Sequence, residues 1–294
     1  MANRPEPQHY DAHDLIALLE LEPLEHNIYR GYNRDLGSGR IFGGQVLAQA
    51  LVAAARTVEE ARTAHSMHAY FILAGDLEIP VVYFVDRLRD GRSFTTRRVT
   101  GIQHGRAIFN MSASFHRAEP GVEHQAAMPD VPPPAALRTE LDQLRDVADR
   151  IPERLRRVLT QERPLDIRPV DAIDPLDPEP HPPERQLWIR ANGRIDDDPL
   201  HHQAVLAYAS DYGLLGAALQ PHGLSHRQPD VMVASLDHAV WFHRPFRADE
   251  WLLYAVDSPV AAGARGFARG TFFTEDGTLV ASVAQEGLVR KLDE

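Results

Sequence analysis

The sequence predicts an α+β fold built twice in tandem, each unit an antiparallel sheet wrapped around a long central helix. Three observations lead there. Residues 41–55 and 199–219 are two stretches almost free of charge, and a helix apolar on every side must be buried on every side. Each is followed by a series of β-patterned segments separated by short turns. Both series end on comparable hairpins, turning at His104-Gly105 and at Asp276-Gly277. The expected organisation is a first unit over residues 1–120, a proline-rich and helical linker over 121–184, and a second unit over 185–294.

Residues 11–22 read as a short amphipathic helix, with Leu15, Leu18, Leu19 and Leu21 on its apolar side and Pro23 ending it. Residues 28–32 suit a first strand. Between Arg40 and Arg56 there is no charged residue at all. That run is too short to span a bilayer, which takes about 20 residues, so protein must bury it. Strands are expected over 66–73, 79–89, 93–103 and 106–117. In the last, Ala107, Phe109, Met111, Ala113 and Phe115 alternate with mostly polar partners.

From 118 to 184 prolines crowd in, and 136–160 reads as a charged amphipathic helix broken at Pro152. This is a connection rather than a third domain. The second unit resumes with a strand at 187–191, the uncharged helix at 199–219, and strands at 231–242, 251–257, 266–275 and 279–290. The run 231–242 reads as one uninterrupted strand, placing Val231, Val233, Ser235, Asp237 and Ala239 on one face.

Composition narrows the function. A net charge of -11 opposes a nucleic-acid groove, whose phosphates it would repel. With no cysteine there is no disulfide, thiolate metal site or cysteine nucleophile. The polar N-terminus lacks an apolar signal core, and the final Lys-Leu-Asp-Glu matches neither a peroxisomal nor a lumenal address. A cytoplasmic protein without membrane insertion is the expectation.

Laying one half over the other isolates candidate chemistry. Val46-Leu47-Ala48 matches Val205-Leu206-Ala207, and His68-Ala69 matches His238-Ala239. On that alignment Asp211 faces Val52, Ser235 faces His65, and Gln285 faces Ala113. Asp211 is the sole Asp, Glu, Lys or Arg between Asp198 and Arg227. Singly, each has an ordinary structural reading: a capping aspartate, a tolerated serine, a strand-bridging glutamine. Their coincidence in one half marks a site, since such groups are seldom buried without a reason.

A carboxylate, a hydroxyl and a carboxamide can hold one water, with the carboxylate as general base and the neutral groups fixing the water's other hydrogen bonds. Burial raises the carboxylate's pKa and improves the base. Such a site suits an activated carbonyl such as a thioester, whose sulfur is a weak resonance donor and a good leaving group. No G-x-S-x-G elbow occurs, which opposes Ser235 as an acyl-forming nucleophile. His9 and His13 are spaced for one helical turn but lack a third metal ligand. His65, placed opposite Ser235, is a catalytic candidate but reads better as structural or as lining the site, and His238, Trp241 and Pro245 read as framework.

Several segments resemble the acyl-CoA thioesterase II family. They include Arg40-Ile41-Phe42-Gly43-Gly44-Gln45-Val46, His65-Ser66-Met67-His68-Ala69-Tyr70-Phe71, Tyr208-Ala209-Ser210-Asp211, Leu236-Asp237-His238 and Gln285-Glu286-Gly287. The resemblance implies two hotdog domains and hydrolysis of medium- to long-chain acyl-CoA without a cofactor or metal. It also implies assembly into dimers or tetramers. Carried over position by position, it makes Asp211, Ser235 and Gln285 catalytic. Gly44 and His65 are candidate substrate contacts beside them. Ser235 stands where the family usually has threonine, and Ile72-Leu73-Ala74-Gly75 departs from its basic residue and proline.

Two rivals stay open. A hotdog enoyl-CoA hydratase would need an Asp–His pair, and no histidine lies within a helical turn of Asp211. An acyl-CoA-binding module would need no turnover at all.

Overall fold

In the computed structural model, residues 10–292 are described, except 37–38, 152, 172, 175, 177 and 229. The chain opens with α1 (Ala12–Leu19), capped by Asp11, whose carboxylate accepts from the His13 and Asp14 amides at 2.9 and 3.1 Å. Asp14 reaches back to the Asp11 amide, so both carboxylates serve a capping box. His9 lies outside the described residues. Next come β1 (Glu22–Glu25), β2 (Ile28–Gly31), α2 (Gly43–Ala55), β3 (Thr63–Phe71), β4 (Val81–Asp90), β5 (Phe94–Gln103) and β6 (Arg106–His116). The second half holds α3 (Glu140–Asp146), α4 (Glu153–Thr160), β7 (Leu165–Pro169), β8 (Glu184–Ala191), α5 (Pro199–Ser210) and α6 (Gly216–Leu219). It closes with β9 (Val231–Ser235), β10 (Asp237–Phe242), β11 (Leu252–Ala262), β12 (Arg265–Thr274) and β13 (Leu279–Lys291).

All strands belong to one sheet in the order β1-β2-β4-β5-β6-β3-β10-β13-β12-β11-β8-β7, with β9 also on β13. The halves meet at an antiparallel seam, β3 against β10, where His238 faces Ala69 and Ala239 faces His68. Inside the sheet lie the two uncharged helices. Every residue of α2 from Gly44 to Ala54 is buried, as is α5 from His202 to Ser210. They pack on each other and on the inner sheet face in one continuous core. Leu47 and Leu51 there are fully enclosed, each contributing about 2 kcal/mol by leaving water. This is the double-hotdog arrangement.

Four departures from the sequence reading matter. The helix expected over 199–219 stops at Ser210, because Gly213 at φ +71 turns the chain before α6 begins. The helix expected over 136–160 with a break at Pro152 is interrupted earlier, at Val147, and Pro152 itself lies outside the described residues. Within the linker, β7 adds an unforeseen edge strand to β8, and Trp188 donates to the Pro132 carbonyl at 2.9 Å. That indole, with Leu253, Phe273 and Leu279, forms a second small core against Met128, Val131 and Leu137.

The fourth departure is in the strand over 231–242. Ser235 faces Gly287 on β13, whereas Ala239 faces Ala284, so one side has an extra residue. The bulge centres on Leu236. It reverses the alternation beyond it, so His238, Val240 and Phe242 point inward instead of Asp237 and Ala239. A matching irregularity lies at His65, between Ala64 and Ser66. These bulges correct the repeat alignment. Ser235 corresponds to Ala64 and not His65. His68 points outward, edge-on to Trp241, so it does not match the inward His238. Aligning helix ends likewise sets Asp211 against Arg56, the cap of α2, and not against Val52. Gln285 and Ala113 do correspond, two residues before Gly287 and Phe115.

Candidate active site

Four elements, α2, α5, β9 and β13, bring polar groups to one point. Asp211 is the C-cap of α5, held in helical geometry with its amide on the Ala209 carbonyl. Its side chain is 8% exposed. Oδ2 accepts from the Gly44 amide at 3.0 Å, at the first turn of α2. Oδ1 accepts from Gln285 Nε2 at 2.8 Å, and the same nitrogen donates to Ser235 Oγ at 2.9 Å. Gln285 thus bridges the carboxylate and the hydroxyl, while itself 1% exposed.

Each placement has a local cause. Asp211 lies at the negative end of the α5 dipole, which disfavours its charge, and at the positive end of α2, which favours it. Gly44 is required at the helix crossing, because a Cβ there would sit 2.4 Å from the Tyr208 carbonyl oxygen. Gln285 follows Ala281 and Val283 in the inward phase of β13. Ser235 is the last residue before the bulge, and so still faces in. The bulge is held by hydrogen bonds from Leu236 N to the Glu286 carbonyl and from Phe71 N to the Leu236 carbonyl, at 3.0 and 2.9 Å. Asp237 Oδ1 accepts the Glu286 amide at 2.7 Å, replacing a lost ladder partner.

Burial pushes the Asp211 carboxyl up to about 6, against the opposing pull of the Gln285 and Gly44 hydrogen bonds. Both hydrogens of the Gln285 amide are committed, so Ser235 accepts from Gln285 and keeps its own hydrogen to donate. The arrangement offers a raised-pKa carboxylate acceptor beside a hydroxyl donor.

Of the residues singled out in sequence, Asp211, Ser235, Gln285 and Gly44 come together. His65 does not. It lies near the opposite end of β3 from Phe71, about 20 Å along the strand at about 3.3 Å per residue. There its ring meets Phe94 and His116 at 5.5 and 6.2 Å. Gly43 was missed as a contact: a Cβ on it would lie 2.8 Å from Asp211 Oδ2 and 3.1 Å from the Phe71 ring.

Sequence patterning assigns His238 to the framework, but the fold brings it to Asp211. Its Nδ1 is 3.9 Å from Asp211 Oδ1, and its Nε2 is 2.8 Å from Ser210 Oγ. No linear spacing could reveal this, because the assumed continuous alternation points His238 outward.

Comparisons with known proteins agree along the chain. A family model described as Acyl-CoA thioesterase matches residues 156–288, and one described as Acyl-CoA thioesterase N-terminal domain matches residues 33–116. The human protein named acyl-coenzyme A thioesterase 8 is 45% identical over 94% of this chain and 88% of its own. The crystal structure of an acyl-CoA thioesterase II, TesB2, from Mycobacterium marinum is 43% identical, with a TM-score of 0.76 over 94% of this chain and 98% of that one. A hot dog fold protein of unknown function from Alicyclobacillus acidocaldarius has the same TM-score of 0.76 at 19% identity, covering 96% of this chain and 99% of that one.

Proposed function

This chain belongs to the acyl-CoA thioesterase family, and from that premise we propose how it hydrolyses acyl-CoA: Asp211 activates a water that Ser235 and Gln285 help to place. The observation that carries this reading is the bridge of Gln285 Nε2 between Asp211 Oδ1 and Ser235 Oγ. A glutamine holding only structure would not need to aim both hydrogens at a carboxylate and a hydroxyl.

The water gives its proton to Asp211 as its oxygen adds to the thioester carbonyl. Ser235 donates its free hydrogen to the incoming oxygen. When the adduct collapses, the C–S bond breaks and the proton on Asp211 passes to sulfur, releasing coenzyme A as the thiol and the acyl group as the acid. Asp211 ends as it began. The acyl chains we assign are medium to long, as the family resemblance implies. A series of substrates of increasing length tests that assignment.

Enoyl-CoA hydration deserves comparison because His238 stands 3.9 Å from Asp211. In three dimensions Asp211 does have a histidine beside it, although none is near in sequence. The decision therefore rests on chemistry: hydrolysis releases free thiol from a saturated acyl-CoA, whereas hydration and simple binding release none. Thiol release followed with a thiol reagent should rise linearly with enzyme. Consumption of an enoyl-CoA without thiol would overturn the hydrolytic reading. Homo-oligomer formation is proposed on the same family ground and is tested by light scattering. Among the described residues no helix is long and apolar enough to cross a membrane. A cytoplasmic setting remains our proposal.

A further inference from the structure

We propose that His238 is a positioning residue for Asp211: it presents a proton-free Nδ1 to the carboxylate and so favours the form of Asp211 that has taken the water's proton. The inference rests on Asp211 being the base.

Counting hydrogens assigns the tautomer when both contacts of the Ser210 hydroxyl are kept as hydrogen bonds. Ser210 Oγ has one hydrogen and donates it to the Ala207 carbonyl at 2.9 Å. With that hydrogen on the carbonyl, the hydroxyl accepts at its 2.8 Å contact with His238 Nε2, and on this basis we assign the ring's proton to Nε2. The Ser210 end of α5 is fixed in turn by Tyr254, whose hydroxyl donates to the Ser210 carbonyl at 2.8 Å. Nδ1 is left with a lone pair. It is shielded from water and has no hydrogen-bond partner among the described residues. Its neighbour at 3.9 Å is Asp211 Oδ1.

With Asp211 ionised, two lone-pair atoms face each other and repel. Add one proton to Oδ1 and the same pair becomes an O–H···N hydrogen bond, once the gap closes by about 1 Å to ordinary hydrogen-bond length. That proton is the one Asp211 takes from the attacking water. Nδ1 thus raises the basicity of the carboxylate and rewards the protonated state formed during reaction. His238 gives up no proton. It accepts one hydrogen bond and releases it when the proton moves on to sulfur.

The imidazole itself stays neutral, because burial pushes its pKa down to about 3. Few other ionisable groups face it. Asp211 comes from the end of α5 and Tyr254 from β11, and the Tyr254 hydroxyl is held far above its ordinary range by burial. From β13 the inward neighbour is the neutral Gln285, and from β3 it is Ala69. Asp237 and Glu286 occupy the reverse face, tied to each other through the Glu286 amide. A histidine needed only to fill space would not require an unpaired nitrogen at this point, since a buried acceptor without a partner is costly.

The test uses the full-length enzyme and the pH dependence of kcat. His238→Gln can keep a donor toward Ser210 but removes the Nδ1 acceptor, whereas His238→Asn can place an oxygen where Nδ1 was. For His238→Gln the acid limb should move to lower pH by half a unit or more. Its plateau kcat should fall about tenfold, as expected of a weakened base, with KM changed less than twofold. His238→Asn should return the limb toward its original position. If both variants keep the original limb and lose kcat equally, His238 is packing only and the proposal fails. A ¹⁵N spectrum of the histidine-labelled parent needs no substitution: a neutral ring protonated at Nε2 from pH 5 to 8 is expected. A proton on Nδ1 would overturn the proposal. Failure of the base assignment is recognised separately, by Asp211→Asn retaining its turnover.

Discussion

At the scale of single residues the site is a compromise between stability and chemistry. Asp211 has its carboxyl raised to about 6 from an ordinary 3.8. A folded-state pKa above the unfolded value means the fold prefers the protonated acid. The cost of ionising it is absent below about pH 4 and fully present above about pH 6. Two units correspond to about 3 kcal/mol. Asp211→Asn should therefore raise the melting temperature at pH 8 while leaving it little changed at pH 4, and lower kcat by roughly two to four orders of magnitude. Melts at the two pH values, run beside turnover assays, check both halves. A folded variant with near-normal kcat would remove Asp211 from the mechanism. In the parent enzyme, kcat should rise with pH through about 6, as the carboxylate ionises. Because Gln285 acts on the same carboxylate, adding Gln285→Ala to Asp211→Asn should cost little further activity. Additive losses would mean the two serve different steps.

Among elements, the crossing of α2 and α5 and the bulge at Leu236 decide where the chemistry points. Gly44 lets the α2 terminus approach the Tyr208 carbonyl and deliver its amide to Asp211. Gly44→Ala would place a Cβ 2.4 Å from that oxygen and 2.5 Å from the Phe42 ring. The helices must part, so a loss of about 1–3 kcal/mol in stability is expected from overpacking. Activity should fall further than the melting temperature alone explains, because the amide at Asp211 moves with the helix. Denaturant midpoints and kcat measured together test this. Unchanged values in both would mean the crossing is looser than described. The bulge matters because side chains alternate with a period of two, and one extra residue moves every later side chain to the other face. Ser235 and His238 can both face inward only because Leu236 lies between them as that extra residue.

Across the whole molecule, the proposed site is shared between the halves. Gly44 comes from the first; Asp211, Ser235 and Gln285 come from the second. The seam of β3 on β10 joins them, and Phe71 of the first half bonds to the bulge of the second. Residues 121–294 expressed alone should therefore show no measurable hydrolysis. Co-expression with residues 1–120 should restore it, as burial of α2 against α5 reunites the core. Activity of the second half on its own would show that Gly44 is dispensable.

The residues themselves determined the tandem architecture. Two stretches without charge had to be enclosed, since an uncharged helix exposed to water has no stabilising partner, and alternating strands were the available cover. They also pointed to three groups of the proposed site, because Asp211, Gln285 and Ser235 are polar at positions where burial is costly without a purpose. Tertiary structure alone decided the rest. A helix end set by Gly213 turned Asp211 from a side position into a cap. A single bulge reversed the face of His238. The seam separated His65 from the site it had been matched to. Sequence periodicity reports which face is apolar only while the period holds. A bulge or a helix stop breaks that period by one residue or one turn, and such a break is fixed by backbone hydrogen bonds between segments far apart in the chain.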